Sequence, residues 1–282
     1  MKITFGIIGN GFVGQATKLL QNSNTKMIVY DIDPKKCFPL GLEIKDLVEC
    51  DIIFVSVPTP SDKEGRNYLG IVKSVIQNIR ENNIKSHIVI RSTVLPGTSD
   101  ELDCYFMPEF LTEKNWEEDF KNCKQWIFGV KNKEEDEDFK KKISGIVNNA
   151  YEEGKIYFNN IYFVSNKEAE MIKYFRNTFL AVKVSFCNEM YDYCQKKGIN
   201  YEEVRKLATI DDRMRESHTQ VPGHDGKRGY GGTCFPKDTN ALMKDFEDEG
   251  IKTYVLKSAV YRNENVDRVE KDWELDIGRA TI

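Results

Sequence analysis

Short apolar runs alternate with stretches of helical spacing over the first half of the chain. The runs are rich in β-branched and aromatic residues and are bounded by turn residues, which is typical of buried strands. They cover residues 2–8, 26–30, 51–57, 87–91, 104–107 and 125–130. Residues 68–82 and 133–147 instead place apolar side chains at helical intervals. Strands and helices alternating at these lengths predict an α/β fold with a doubly wound parallel sheet.

A glycine-rich turn follows the first predicted strand. Gly9, Gly11 and Gly14 form a G-x-G-x-x-G pattern, and residues 15–21 after it read as a helix. In such a turn the first glycine makes the bend, the second admits a pyrophosphate and the third packs helix on strand. Asp31 ends the next strand about 20 residues later, where a carboxylate binds the ribose and repels a 2′-phosphate. We therefore predict a Rossmann-type domain that binds NAD rather than NADP.

The second half of the chain is dominated by one long helical pattern. Residues 167–197 keep apolar side chains three or four positions apart, with Ser165 or Asn166 as N-cap and Gly198 as the stop. A helix of about 30 residues is roughly 45 Å long. Its aromatic residues widen the apolar surface beyond one stripe, as in helices buried on more than one side. We expect it to bridge domains and to form a homodimer with its copy.

Composition narrows the class of protein. Of 282 residues, 40% are hydrophobic and 30% are charged, with a net charge of −4, which excludes the basic footprint of a nucleic-acid-binding protein. Seven cysteines at irregular spacing argue against a disulfide framework. With only three histidines and no CxxC pattern we expect no metal site. We find no membrane segment and no leader, so we expect a cytoplasmic protein.

The densest candidate chemistry is GYGGTCFPKD at residues 229–238. Glycines at this density let backbone approach a ligand. Pro236 suits the first turn of a helix, and residues 239–249 continue that helix. Cys234 would then lie near a helix N-terminus, beside Lys237, and both favour the thiolate. The sequence predicts a nucleophile, and the alternative is a loop with an incidental buried cysteine.

This stretch resembles the active-site signature of the UDP-glucose/GDP-mannose dehydrogenase family, whose members oxidise UDP-glucose to UDP-glucuronate or act on GDP-mannose. Residues 170–189 resemble the family's central helix. VxVPTP at 55–60, STVxPGT at 92–98 and PEFLxE at 108–113 follow the family's pattern in its usual order. Family members usually continue into a further α/β domain that holds much of the substrate nucleotide. We expect a short form without that domain.

The resemblance implies a role for particular residues. Cys234 would form the covalent intermediate, and Lys173 and Asn177 would face the sugar. Asp238 would hold a water or relay a proton, Glu109 is the candidate base for hydrolysis, and Thr93 would help to fix the water or the nicotinamide. Expected cofactor contacts are Gly9, Gly11, Phe12, Val13, Gly14, Asp31, Lys36, Thr59, Thr93 and Lys237. Expected substrate contacts are Phe110, Leu111, Glu113, Lys173, Asn177, Arg213, Tyr230 and Gly231. Arg213 matches an arginine that reaches a neighbouring subunit's substrate.

Plainer interpretations of these residues stay open. Lys36 and Lys173 could be solvated surface lysines. The carboxylates of Glu109 and Asp238 could serve only helix-end electrostatics.

Three segments follow from these patterns. Residues 1–164 would form the NAD-binding domain and residues 165–198 the connecting and dimerisation helix. Residues 199–282 would form a small all-helical substrate domain that carries Cys234, with helices over 201–209 and 253–272.

The expected reaction is an NAD-dependent, four-electron oxidation of the C6 alcohol of a nucleotide sugar. It would pass through a thiohemiacetal and a thioester on Cys234, with UDP-glucose as the first choice of substrate. Two alternatives remain: the same chemistry on another nucleotide sugar or a smaller sugar, and a non-catalytic NAD-binding dimeric scaffold.

Overall fold

A computed structural model describes residues 2–282. The chain folds into two compact units. The first comprises the chain up to Thr59 together with Leu69–Lys173, and the second comprises Pro60–Tyr68 together with Tyr174–Ile282. Pro60–Tyr68 joins the second unit although it lies between elements of the first. The Ser61 N–H donates to the Ala280 carbonyl at 2.8 Å, which is one of the bonds that hold this segment there.

A seven-stranded sheet forms the centre of the first unit. Its strands are β1 (Ile3–Ile8), β2 (Thr25–Tyr30), β3 (Ile52–Val55), β4 (His87–Ile90), β5 (Tyr105–Phe106), β6 (Trp126–Val130) and β7 (Ile161–Ser165). The order across the sheet is β2-β1-β3-β4-β5-β6-β7, and every pair is parallel except β5 with β6. The predicted α/β class is confirmed, with one antiparallel pair in the sheet.

Helices cover both faces of this sheet. They are α1 (Phe12–Lys18), α2 (Gly70–Glu81), α3 (Thr98–Glu101), α4 (Trp116–Lys121) and α5 (Asp136–Glu152). Side chains alternate across a strand, so Ile7 joins the core that contains Phe139 of α5, while Ile8 joins the core that contains Ile76 of α2. The inner strands are therefore buried on both faces, which is why they read as continuous apolar runs, whereas the edge strands β2 and β7 are only partly buried.

Two local features of the first unit differ from the sequence-based expectation. Helix α1 begins at Phe12, directly after the second glycine of the motif, rather than at residue 15, and it contains Gly14. The strand β7 is not among the predicted strands; it lies at the edge of the sheet and is only partly buried. A 3₁₀ helix over Ile44–Glu49 precedes β3.

The second unit is mainly helical. Its elements are most of α6 (Asn166–Lys197), then α7 (Tyr201–Ala208), α8 (Phe235–Asp248) and α9 (Val255–Arg262). Helix α6 confirms the predicted long helix. Its start is a capping box, in which the Glu168 carboxylate accepts the Ser165 N–H at 2.8 Å and the Ser165 hydroxyl accepts the Glu168 N–H at 3.4 Å.

The helix expected over residues 253–272 is shorter than predicted. Helix α9 ends at Arg262, a π turn follows over Asn263–Asp267, and a 3₁₀ helix covers Asp272–Leu275. Lys271, just before that last helix, has a φ of +44°, which interrupts the helical pattern.

Two glycines of the first unit give opposite expectations for replacement by alanine. A Cβ on Gly129 of β6 would lie 2.9 Å from Asn166 Cα, so Gly129→Ala should lower the free energy of unfolding by about 1–3 kcal/mol. A Cβ on Gly145 of α5 would meet nothing closer than Ile3 Cδ1 at 3.7 Å, so Gly145→Ala should raise it by up to about 1 kcal/mol. Chemical denaturation of both variants checks this, and equal effects would contradict the packing at Gly129.

Candidate active site

The predicted dinucleotide-binding turn joins β1 to α1. Gly9 has a φ of +92°, and a Cβ there would lie 2.4 Å from the Ser56 carbonyl oxygen. A Cβ on Gly14 would lie 1.9 Å from the Gly9 carbonyl oxygen. Gly11 has open space around it. The first and third glycines are thus required by packing, and the second leaves the backbone open to a ligand, which fits a bound pyrophosphate.

Asp31 lies against this turn at the end of β2. Its carboxylate accepts the N–H of Asn10 at 2.7 Å and the N–H of Asp33 at 2.9 Å. The Asn10 amide donates in turn to the Lys36 carbonyl at 2.6 Å. Asn10 therefore links two of the predicted cofactor contacts, Asp31 and Lys36, and the fixed carboxylate of Asp31 fits a ribose hydroxyl.

A buried ion pair joins the segment after β5 to α6. Lys173 Nζ donates to the Glu109 carbonyl at 2.8 Å and to its Oε1, and both side chains are less than 7% exposed. Leu111 N–H donates to Glu109 Oε2 at 2.9 Å, and Lys173 Nζ lies 5.9 Å from the centre of the Phe110 ring. Burial acts to raise the pKa of Glu109, but the Lys173 ammonium and the Leu111 N–H outweigh it and lower that pKa. Glu109 is therefore an ionised carboxylate.

A second cluster lies wholly in the second unit. Asn177 Nδ2 donates to Asp238 Oδ2 at 2.6 Å, and Asp238 is fully buried. Lys237 Nζ lies 3.6 Å from Asp238 Oδ1. Cys234 is the N-cap residue of α8, and its carbonyl accepts the Asp238 N–H at 2.8 Å. The thiol is half-buried at a helix N-terminus, as predicted, with a carboxylate one turn along the helix.

Of the other expected site residues of the first unit, two are buried and one is exposed. Thr59 follows β3 and Thr93 follows β4, and both are buried. Both therefore follow the carboxyl ends of neighbouring strands, where ligands of such sheets bind. Glu113 is exposed.

The remaining expected substrate residues belong to the second unit. Arg213 is exposed and pairs with Asp211, its Nε lying 2.9 Å from Oδ1. Tyr230 is buried and its ring packs edge-on against Phe235. Gly231 packs against the guanidinium of Arg268.

Comparison with known protein families accounts for this arrangement. Residues 41–153 match the NAD binding domain of the UDP-glucose/GDP-mannose dehydrogenase family, and residues 167–265 match the central domain of the same family. The chain belongs to the UDP-glucose/GDP-mannose dehydrogenase family. The resemblance seen in the sequence motifs is thereby confirmed, and NAD is the cofactor of the matched domain.

Curated relatives are similar over much of this chain. The UDP-glucose 6-dehydrogenase of Rickettsia felis is 33% identical over 230 residues, which cover 77% of this chain and 48% of the relative. The UDP-glucose 6-dehydrogenase of Rhizobium meliloti is 32% identical over 232 residues, which cover 76% of this chain and 50% of the relative. The chain therefore spans about half the length of the curated relatives it matches.

A solved structure supports the fold. The UDP-glucose dehydrogenase from the hyperthermophilic archaeon Pyrobaculum islandicum superposes with a TM-score of 0.77 and 21% identity. The match covers 94% of this chain and 68% of that one. At this identity the likeness concerns the fold alone.

A buried glutamate of α6 is absent from the residues predicted from the sequence. Glu170 of α6 is fully buried, and its carboxylate accepts the N–H of Gly97 at 2.5 Å and of Ser99 at 2.8 Å. It thus ties the segment that contains Thr93 to the helix that carries Lys173. The sequence signal that points to Glu170 is an acidic residue one turn before Lys173 on a largely apolar helix.

Arg91 is a second residue that the sequence analysis missed. Its guanidinium is almost fully buried at the end of β4, donates to Thr17 Oγ1 and lies 5.6 Å from the centre of the Phe120 ring. Its Nη1 also lies 3.4 Å from the Val13 carbonyl. Burial lowers the pKa of Arg91 to about 10, which still leaves it charged at neutral pH. Arg91 therefore anchors α1 to the sheet.

Residues 2–282 contain no cluster of histidine, cysteine or carboxylate side chains that could hold a metal ion. No helix in the same range is both long enough and apolar enough to cross a bilayer.

Glu170 gives the unfolding equilibrium a defined pH dependence. Burial raises the pKa of Glu170 from 4.5 to about 7, so its contribution to stability is full below about pH 4.5 and is lost as pH rises through 7. Between pH 5 and pH 8 the free energy of unfolding should therefore fall by about 2 kcal/mol more in the unmodified protein than in Glu170→Gln. Urea denaturation at both pH values measures this.

The matched control for that experiment is Glu152→Gln, which changes an exposed glutamate of α5. It should keep the slope of the unmodified protein. Equal slopes for the unmodified protein and Glu170→Gln would contradict the assignment of this pH dependence to Glu170.

Proposed function

We propose that this protein is an NAD-dependent nucleotide-sugar 6-dehydrogenase that oxidises UDP-glucose to UDP-glucuronate. The observation that carries the proposal is that two polar side chains of α6 are each held by a buried carboxylate. Lys173 is held by Glu109, and Asn177, one helical turn later, is held by Asp238. Residues four apart share one face of a helix. A cation and an amide are thus presented by the same helix, and Asp238 lies one turn beyond Cys234 on α8.

The cofactor would be held by the first unit. Gly11 offers open backbone for the pyrophosphate and Asp31 a fixed carboxylate for the ribose. NAD, when bound, accepts the hydride that each oxidation releases. The residues of this chain bind and orient the reactants and move protons.

Cys234 divides the second oxidation into separate steps. Its thiolate adds to the carbon of the aldehyde and forms a thiohemiacetal. Loss of a hydride from that carbon gives a thioester, and water then releases the carboxylate and regenerates the thiol. The position of Cys234 at the N-terminus of α8 favours the thiolate, because the positive end of the helix dipole lies there.

The charged residues would stabilise and position the reacting atoms. We assign Lys173 to the oxyanion that forms on the substrate carbon, with Asn177 as a second donor. Glu109 keeps the ammonium in place, and its lowered pKa leaves it ionised and able to orient the hydrolytic water. Asp238 would relay the proton, and Thr93 would help to fix the water or the nicotinamide.

NADH formation with UDP-glucose tests the proposal. Two equivalents of NADH should appear per sugar, measured by absorbance, with UDP-glucuronate as the product. Cys234→Ser should show no multiple turnover, because an alkoxide forms far less readily than a thiolate and leaves a carboxyl ester less readily. Cys123→Ser, at the partly buried cysteine after α4, should keep the activity of the unmodified protein.

The same assay with GDP-mannose, other nucleotide sugars and free sugars separates the alternatives. Turnover with one of these and none with UDP-glucose would replace the substrate and keep the chemistry. NAD binding without turnover on any of them would contradict the enzyme and favour a non-catalytic scaffold.

An aromatic stripe on α6 supports a homodimer. Four large side chains of α6 are each more than half exposed, and their spacing of four, seven and seven residues places them along one side of the helix. They are Phe175, Phe179, Phe186 and Tyr193. Aromatic surface of this extent on a helix marks a contact site, and we assign it to a second copy of this chain.

Phe179→Glu should convert that homodimer to a monomer, because it places a charge in the centre of the apolar stripe. Light scattering after size-exclusion chromatography gives the mass directly. Tyr157→Glu changes a comparably exposed aromatic residue of the first unit and should stay dimeric. A monomeric unmodified protein, or a Phe179→Glu variant that remains dimeric, would contradict the assignment.

A further inference from the structure

One buried asparagine holds the loop that carries Cys234. Asn263 is completely buried, and its Oδ1 accepts the Tyr230 N–H at 2.8 Å while its Nδ2 donates to the Tyr230 carbonyl at 2.9 Å. A single side chain thus satisfies both backbone groups of Tyr230, as a paired strand would. A Cβ on Gly229 would lie 2.3 Å from Asn263 Oδ1, so the asparagine also requires the glycine before Tyr230.

The π turn after α9 brings a second side chain to the same loop. The Arg268 N–H donates to the Asn263 carbonyl at 2.8 Å, a five-residue spacing that is rare in helices and common near functional sites. The buried Arg268 guanidinium lies between two aspartates. Its Nη1 donates to Asp225 Oδ2 at 2.6 Å, and its Nη2 donates to Asp272 Oδ2 at 2.7 Å. A Cβ on Gly231 would lie 2.5 Å from Arg268 Cζ.

The same turn also anchors the residue before the loop. Asp267 ends the π turn, and its Oδ1 lies 2.7 Å from Arg228 Nη2. The Arg228 guanidinium also pairs with Asp192 of α6 at 2.8 Å. The π turn and Arg268, which follows it, therefore contact the chain at residues 228, 229, 230 and 231, and only Gly232 and Thr233 separate these residues from the cysteine.

We propose that this π turn positions the nucleophile. Asn263 and Arg268 fix the backbone of residues 229–231, and this fixes Cys234 as the N-cap residue of α8. Neither is a catalytic residue, since they act through the loop. The inference rests on the proposed function, in which Cys234 is the nucleophile, and adds two positioning residues to it.

Asn263→Asp tests the donor half of the contact. The variant keeps an acceptor for the Tyr230 N–H but places an oxygen against the Tyr230 carbonyl, so kcat with UDP-glucose at pH 8 should fall about tenfold or more. KM for NAD should not change. As pH falls from 8 to 6, the ratio of variant to unmodified kcat should rise several-fold, because burial raises the pKa of the introduced carboxyl and its O–H replaces the lost donor.

Asn265→Asp is the matched control. Asn265 lies in the same π turn, but it is exposed and its Nδ2 donates to the Tyr261 carbonyl at 2.8 Å. This variant should keep the kcat of the unmodified protein at every pH. An Asn263→Asp enzyme with unmodified kcat at pH 8, or a ratio that does not change with pH, would overturn the proposal.

Two buried cysteines of the second unit report whether Asn263→Asp has unfolded. Cys187 and Cys194 should react with iodoacetamide as slowly in the variant as in the unmodified protein, measured by peptide mass spectrometry. Fast reaction at both would show a general structural role and overturn the positioning role. Gly231→Ala displaces Arg268 instead. This variant should show the same loss of kcat, with an unchanged KM for NAD and with Cys187 and Cys194 still protected. Full activity of Gly231→Ala would also count against the proposal.

Alkylation of Cys234 tests the positioning role independently of catalytic activity. If the unmodified protein oxidises no nucleotide sugar, the proposed function fails, and the rate at Cys234 still tests the loop. That rate at pH 7 should be several-fold lower in Asn263→Asp, because a thiol that leaves the helix N-terminus has less thiolate. An unchanged rate at Cys234 would overturn the positioning role.

Discussion

The buried ion pair of Lys173 and Glu109 is the constraint on which the first unit's part of the site depends. An ammonium and a carboxylate that are both buried must meet, because breaking such a pair leaves an uncompensated charge at a cost of about 3–5 kcal/mol. The pair joins the segment after β5 to α6, although the two residues lie 64 positions apart in the chain. The place of the ammonium on α6 is therefore fixed by charge as well as by apolar packing.

Much of the fold could be predicted because burial on both faces leaves a clear pattern. The inner strands of the sheet read as continuous apolar runs, and Gly9 to Gly14 mark the turn between a strand and a helix. Cys234 can be predicted as a nucleophile from its glycine-rich loop and the helix that follows it, whereas the roles expected for Lys173 and Asn177 rest on motif resemblance. The burial of Lys173 could not be predicted from residue spacing, because a lysine in a helix is solvated in most proteins. Lys173 is buried because it forms an ion pair with Glu109.

The features that sequence reasoning missed depend on single polar contacts. The segment from Arg262 to Asp272 is charged and reads as the exposed end of a helix, yet Asn263 and Arg268 within it are buried. Their burial follows from the backbone groups of Tyr230 and from the aspartates around Arg268, which no apolar periodicity records. Polar residues that satisfy another segment's backbone are visible only once that segment is in place.

The glycines of the two loops show how far a glycine-rich motif can be interpreted as a ligand site. In the turn after β1, Gly9 and Gly14 are required by backbone packing and only Gly11 has open space. In the loop before Cys234, Gly229 and Gly231 make room for Asn263 and Arg268, and Gly232 has open space at a φ of +69°. Each motif therefore contains two glycines that admit the protein's own atoms and one that is free for a ligand to approach. The density of glycines in these sequences reflects the rigidity of the loops as much as their contact with substrate or cofactor, because a chain packed this closely against its neighbours has little room to move.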